Sequence, residues 1–154
     1  MSRLTKLIEM NKDLALKLNS DCIYYSKQQY EYAVYYYLDH NAAIIGTAAV
    51  TNFDENRVSS YAYMIKYKYM KEYNMLSKIE HGIHCHNHIG ISEPSPDDYE
   101  GAFIFENDMW EFAKASGTSI IFHNNQLTEY CAAGKIADAA PLHCLVQGIV
   151  SGEV

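Results

Sequence analysis

The chain has 154 residues, enough for one ordinary domain with a sizeable core. Hydrophobic residues make up 49% and charged residues 20%, a globular balance that excludes a disordered chain. The net charge of -7 lacks the electrostatic footprint of a non-specific nucleic-acid binder, and no apolar run approaches the roughly 18–20 residues that cross a bilayer.

The chain starts Met1-Ser2-Arg3-Leu4-Thr5-Lys6, a mixed-charge segment without the character of a signal peptide. Ser2 can cap a first helix to about Leu18, with Leu4, Leu7, Ile8, Met10, Leu14 and Leu18 as its apolar stripe and Asn19-Ser20-Asp21 as its end. Glu31 to Leu38 reads as a strand. Asp39-His40-Asn41 is a turn, and Ala42 to Val50 is a second strand, so the pair forms a hairpin. Gly46 inside the second strand suggests a bulge or a close backbone approach. Polar Asn52 to Asn56 is a loop. A helix should run from about Arg57 to Leu76, where Lys66, Lys68 and Lys71 interleave with Tyr67, Tyr69 and Tyr73; such a patch could touch nucleic acid, and a solvated helix face is the preferred reading.

Lys78 to His86 reads as a third strand, extendable to His88. Ile89 to Pro96 is a loop, and Asp97-Asp98 caps a helix to about Ala115 that Ser116-Gly117 stops. Thr118 to His123 is a strand, Asn124-Asn125 a turn, and Leu127 to Ala132 a further strand that Gly134 breaks. The tail from Lys135 is weakly patterned. The order predicts a single α/β domain over residues 1–154, with a mixed β-sheet flanked by helices.

The 14 tyrosines include the runs Tyr24-Tyr25 and Tyr35-Tyr36-Tyr37, which suit core and sheet positions. Cys22, Cys85, Cys131 and Cys144 form no CxxC pair, which points to a reduced, soluble, cytoplasmic protein. Cys85 lies between two histidines but faces the other side of its strand and reads as a buried apolar residue.

The chemistry concentrates in His84-Cys85-His86-Asn87-His88 and the loop that follows. Side chains two apart on a strand share a face, so the three imidazoles line up. Two same-face imidazoles at a strand end, with a carboxylate returned by the next loop, supply three ligands to one metal ion. Zinc accepts such N and O donors and keeps a fourth position for water, the layout of a hydrolytic centre. Of the other histidines, His40 sits in a turn, and His123 ends a strand that could pass near the site. His86-Asn87-His88 is not an HNH nuclease motif, whose residues are dispersed through a ββα unit.

His86-Asn87-His88 and Pro94-Ser95-Pro96-Asp97-Asp98 resemble the two metal motifs of JAMM/JAB-type zinc metallohydrolases, H-x-H-P and P-S-x-x-D, in the RadC-like branch, where the first motif reads H-N-H. The likeness covers roughly Glu31 to Ala132, with the metal motif as its specific part. It departs at Ile89, which stands where proline is usual, and in a loop one residue short. Two registers fit. His86, His88 and Asp98 keep the Pro-Ser match and are preferred; His84, His86 and Asp97 restore the usual distance to the aspartate. Both share His86.

The resemblance implies a JAMM/cytidine-deaminase-like fold and a zinc-dependent hydrolase (a metalloprotease or isopeptidase) that cleaves an amide or isopeptide bond through a metal-activated water. It implies Glu31, about 55 residues before His86, as the general base, and Ser95 as a hydrogen-bond donor to the developing oxyanion. The implied partner is a peptide or protein substrate such as a ubiquitin-like conjugate, and the implied source is bacterial or phage. Two other classes remain open: a JAMM-fold scaffold or binding protein without catalysis, and a RadC-like accessory of DNA metabolism or mobile elements, against which the acidic charge counts.

Overall fold

A computed structural model describes residues 3–51, 53, 71, 74–90 and 93–137. They form a single α/β domain in which one six-stranded mixed sheet is flanked by helices. In chain order the elements are α1 (Arg3–Met10), α2 (Lys12–Ser26), β1 (Tyr32–Leu38), β2 (Ile44–Thr51), a 3-10 turn (Leu76–Lys78), β3 (His81–Asn87), α3 (Pro96–Ala113), β4 (Ser116–His123), β5 (Gln126–Cys131) and β6 (Gly134–Ala137). The sheet order is β2-β1-β3-β4-β5-β6. Only β3 and β4 run parallel, with α3 as their crossover; every other neighbouring pair is antiparallel.

Period-two alternation divides the sheet between two cores. Val34, Tyr36, Leu38, Ile83, Cys85, Ile120, Phe122 and Leu127 join Leu4, Leu7, Ile8, Leu14 and Leu18 of α1 and α2. Ala33, Tyr35 and Tyr37 face Phe105 and Met109 of α3. Strands buried on both faces read as continuous apolar runs, which is why Tyr35-Tyr36-Tyr37 lies wholly inside.

The first helix expected from the sequence is two. Asn11 breaks it: its backbone leaves the helical region, and its side chain accepts from the Asp13 N–H to cap α2. Met10 is consequently exposed. Asn19-Ser20-Asp21 does not end a helix, because α2 runs on to Ser26. The β1–β2 hairpin forms as expected, with Asp39 Oδ1 accepting from the Asn41 and Ala43 amides in the turn. The expected irregularity at Gly46 is a bulge: Tyr37 pairs with Gly46 and Leu38 with Ile44, leaving Ile45 as the extra residue.

Lys78 belongs to the 3-10 turn, so β3 starts later than expected, at His81. The cap of α3 is Ser95, not Asp97-Asp98, and Ser116-Gly117 opens β4 instead of stopping α3, which ends at Lys114 in the left-handed region. Asn124 and Asn125 make the β4–β5 turn with positive φ, a conformation asparagine tolerates. Gly134 starts β6, a strand the weak patterning hid. The helix expected over about Arg57 to Leu76, with Lys66 and Lys68, lies almost wholly outside the described residues. So do Ser2, most of Asn52 to Asn56, and residues 138–154 with His143 and Cys144. No described helix is long and apolar enough to cross a membrane.

Candidate metal centre

The β3–α3 crossover sets the site at the carboxyl end of β3, where open α/β sheets place their ligands. His86 is the penultimate residue of β3 and is 4% exposed. His88 follows the strand but is still held by its backbone. Its N–H donates to Phe122 O, and its carbonyl lies 3.0 Å from Nδ1 of His123. The end of β4 thus steadies the second imidazole, which is where the structure places His123.

Asp98 comes from the first turn of α3. Ser95 and Asp98 form a capping box: the Asp98 N–H donates to Ser95 Oγ at 3.2 Å, and the Ser95 N–H donates to Asp98 Oδ2 at 2.8 Å. Pro96 suits the first helical position, where no N–H is needed. A carboxylate there also meets the positive end of the helix dipole. The cap fixes the Asp98 rotamer and aims its oxygens at the histidines.

The three groups converge. Nε2 of His86 lies 3.1 Å from Asp98 Oδ1, Nε2 of His88 lies 3.0 Å from Asp98 Oδ2, and the two Nε2 atoms are 2.8 Å apart. One ligand atom from each residue falls within 4.8 Å of the others. Two imidazole nitrogens and one carboxylate oxygen in one cluster could hold a metal ion. Burial alone would raise the Asp98 pKa. Hydrogen bonds from His86 and His88 outweigh it and hold the carboxyl well below the usual range, so Asp98 stays an anion.

The second register is not assembled. Asp97 is exposed and outside the cluster. His84 sits deeper along β3, stacked on Tyr35 with ring centres 5.0 Å apart and tilted against Phe105. Burial, and then the charge of His86, lowers its pKa to about 3, so it stays neutral. Cys85 faces the other core, where burial pushes its thiol well up and leaves it inert.

Glu31 lies just before β1 and is buried. Ala33 pairs with His86 at the end of the β1–β3 register, and Glu31 lies two residues beyond that pair, toward the end of β3 that carries the histidines. Its backbone is held from both sides. The Thr51 hydroxyl donates to the Glu31 carbonyl at 2.7 Å. Asn87 Oδ1 accepts from the Tyr32 N–H at 2.6 Å, and Asn87 Nδ2 donates to the Tyr30 carbonyl at 3.0 Å. The residue between the two histidines therefore clamps the chain on either side of Glu31. Sequence reading passed over Asn87, yet a signal existed. An amide on the hidden face of a buried strand must be hydrogen-bonded, so it has to fasten something.

Ser95 lies at the site's edge as the α3 cap; its oxygen accepts from Asp98 N, which leaves the hydroxyl hydrogen to donate elsewhere. Tyr130 of β5 is the other residue the sequence did not reveal. Its hydroxyl lies 3.4 Å from Nδ1 of His86, a contact across two strands that no local pattern encodes. No protein-family model matches the chain, and no curated protein matches it.

Proposed function

We propose that this protein is a zinc-dependent hydrolase of JAMM type, acting on an amide or isopeptide bond in a peptide or protein substrate such as a ubiquitin-like conjugate. The observation that carries the proposal is the convergence of His86, His88 and Asp98 at the end of a buried strand, beside the strand that Glu31 leads. The two imidazole Nε2 atoms lie 2.8 Å apart, and each lies 3.0 to 3.1 Å from a different oxygen of Asp98, so the three side chains face one another around one small space. Three protein ligands leave room for substrate or water. A cytoplasmic location fits the free thiols of Cys22, Cys85 and Cys131.

Zinc bound there supplies Lewis acidity, which polarises a carbonyl and acidifies water. Glu31 takes the proton of the attacking water on its carboxylate and passes it to the leaving amine nitrogen. Ser95 donates its hydroxyl hydrogen to the carbonyl oxygen that gains charge. His84 packs between Tyr35 and Phe105 beside His86, one step deeper along the strand.

Elemental analysis of wild type and His86→Ala, both checked for folding, tests the metal. About one zinc per chain, lost in the variant, is expected. Iron in its place would redirect the chemistry, since two histidines and a carboxylate also suit non-haem iron. A well-folded wild type that takes up no zinc after loading would sink the proposal and leave a fold used for binding. Glu31→Gln tests catalysis: zinc is retained, while hydrolysis of amide-linked reporter peptides falls by about 10²–10⁴-fold.

A further inference from the structure

A histidine binds a metal through one ring nitrogen only when the proton sits on the other. For Nε2 of His86 to face the ion, Nδ1 must carry hydrogen. His86 is 4% exposed, and a buried N–H without an acceptor is costly. Tyr130 Oη lies 3.4 Å from that nitrogen.

Tyr130 is held where it can meet this need. It is fully buried on β5, and its cross-strand neighbour on β4 is the small Ser119, which in turn pairs with His84. Its ring stands edge-on to His86, with centres 6.2 Å apart at 88°, and edge-on to Tyr99, at 5.8 Å and 85°. Tyr99 follows Asp98 on α3, and Ala102 and Ile121 complete the cluster. Tyr130 therefore packs against both elements that carry the metal donors.

We infer that Tyr130 is a positioning residue of the metal centre: its hydroxyl accepts from the Nδ1–H of His86 and fixes the tautomer and ring orientation that turn Nε2 toward the ion. The inference rests on the metal-dependent reading above. A hydroxyl suits the task better than a carboxylate. It accepts from Nδ1–H when the ion is bound, and it donates to a bare Nδ1 when Nε2–H pairs with Asp98 instead. Metal uptake then needs the imidazole proton to be lost from Nε2 and regained at Nδ1 as the hydroxyl rotates, with no movement of a charged side chain into the core.

The test compares zinc affinity of wild type and Tyr130→Phe by chelator competition, with circular dichroism to confirm the fold. Phenylalanine keeps the ring and removes only the hydroxyl. The expected affinity is about 10–100-fold weaker, the usual effect of losing an outer partner of a metal-bound histidine. Nitrogen-15 NMR of zinc-loaded wild type is independent of whether the variant folds. It should show His86 protonated at Nδ1, with that proton protected from exchange. Zinc binding by wild type together with an affinity within about twofold in Tyr130→Phe, or with His86 protonated at Nε2, would overturn the inference and leave the metal reading intact. A wild type that binds no zinc would overturn both.

Discussion

Asn87 links two functions in one strand residue. Its neighbours His86 and His88 turn toward α3, while its own side chain enters the opposite layer, 1% exposed, and pins the backbone at Tyr30 and Tyr32. The imidazole strand and the glutamate segment are thereby fastened by the residue that separates the imidazoles. Removing the amide leaves an N–H and a C=O without their partner, each costing about 1–3 kcal/mol when buried. Asn87→Ala should therefore lower stability by about 2–3 kcal/mol in urea unfolding and speed hydrogen exchange at the Tyr32 amide. Zinc affinity should stay within about threefold, because no ligand is touched. Asn87→Asp should cost at least as much, since it keeps an acceptor for Tyr32 but buries a carboxylate against the Tyr30 carbonyl oxygen. A tenfold loss of zinc affinity with unchanged stability would show that Asn87 acts on the histidines directly.

At the scale of elements, the site depends on how closely α3 lies on the sheet. Gly82 of β3 and Gly117 of β4 are register partners, and α3 rests on the bare patch they make. A methyl group on Gly117 would meet the Cα of Glu106 and the ring of Phe105, each at 3.2 Å; one at Gly82 would collide with the Met109 sulfur. The helix backbone cannot yield as a side-chain tip can, so Gly117→Ala should cost about 1–3 kcal/mol by overpacking, read as a lower urea midpoint. An unchanged midpoint would mean that α3 slides freely on the sheet. Gly117 was legible only as a helix stop and Gly82 only as part of a strand, because the helix they seat is distant in sequence from Gly82. Local signals served well where the strand itself carries the information. The period-two spacing of His84, His86 and His88 set the face of the ligands, and the aromatic run from Tyr32 to Tyr37 set β1. They failed where two chemistries compete for one position. Leucines continue in phase through Asn11 and hid the break between α1 and α2, and the acidic pair Asp97-Asp98 drew the cap that Ser95 supplies. Tyr130 was invisible because its partner lies 44 residues away.

For the whole molecule, the three layers meet at one end of β3. The ion would bind to β3 and α3 together, two elements packed on each other through Phe105, Met109 and the sheet. Unfolding separates His86 and His88 from Asp98, so an ion that needs all three binds the native chain far better than the unfolded one. Free zinc at about 100 times its dissociation constant should then add about 2.7 kcal/mol of stability. For a domain of this length each kcal/mol moves the melting midpoint by about 2–4 °C, so the shift should be about 5–10 °C. Excess chelator should reverse it, and His86→Ala should show none. The effect should weaken as pH falls, because imidazoles must be neutral to bind a metal. Asp98 should not set that limit, since its carboxyl is held well below the usual range and stays ionised. A melting midpoint that ignores saturating zinc, in protein shown to carry one ion per chain, would mean that the ion binds folded and unfolded chains alike. The ligands would then owe nothing to the crossover that gathers them.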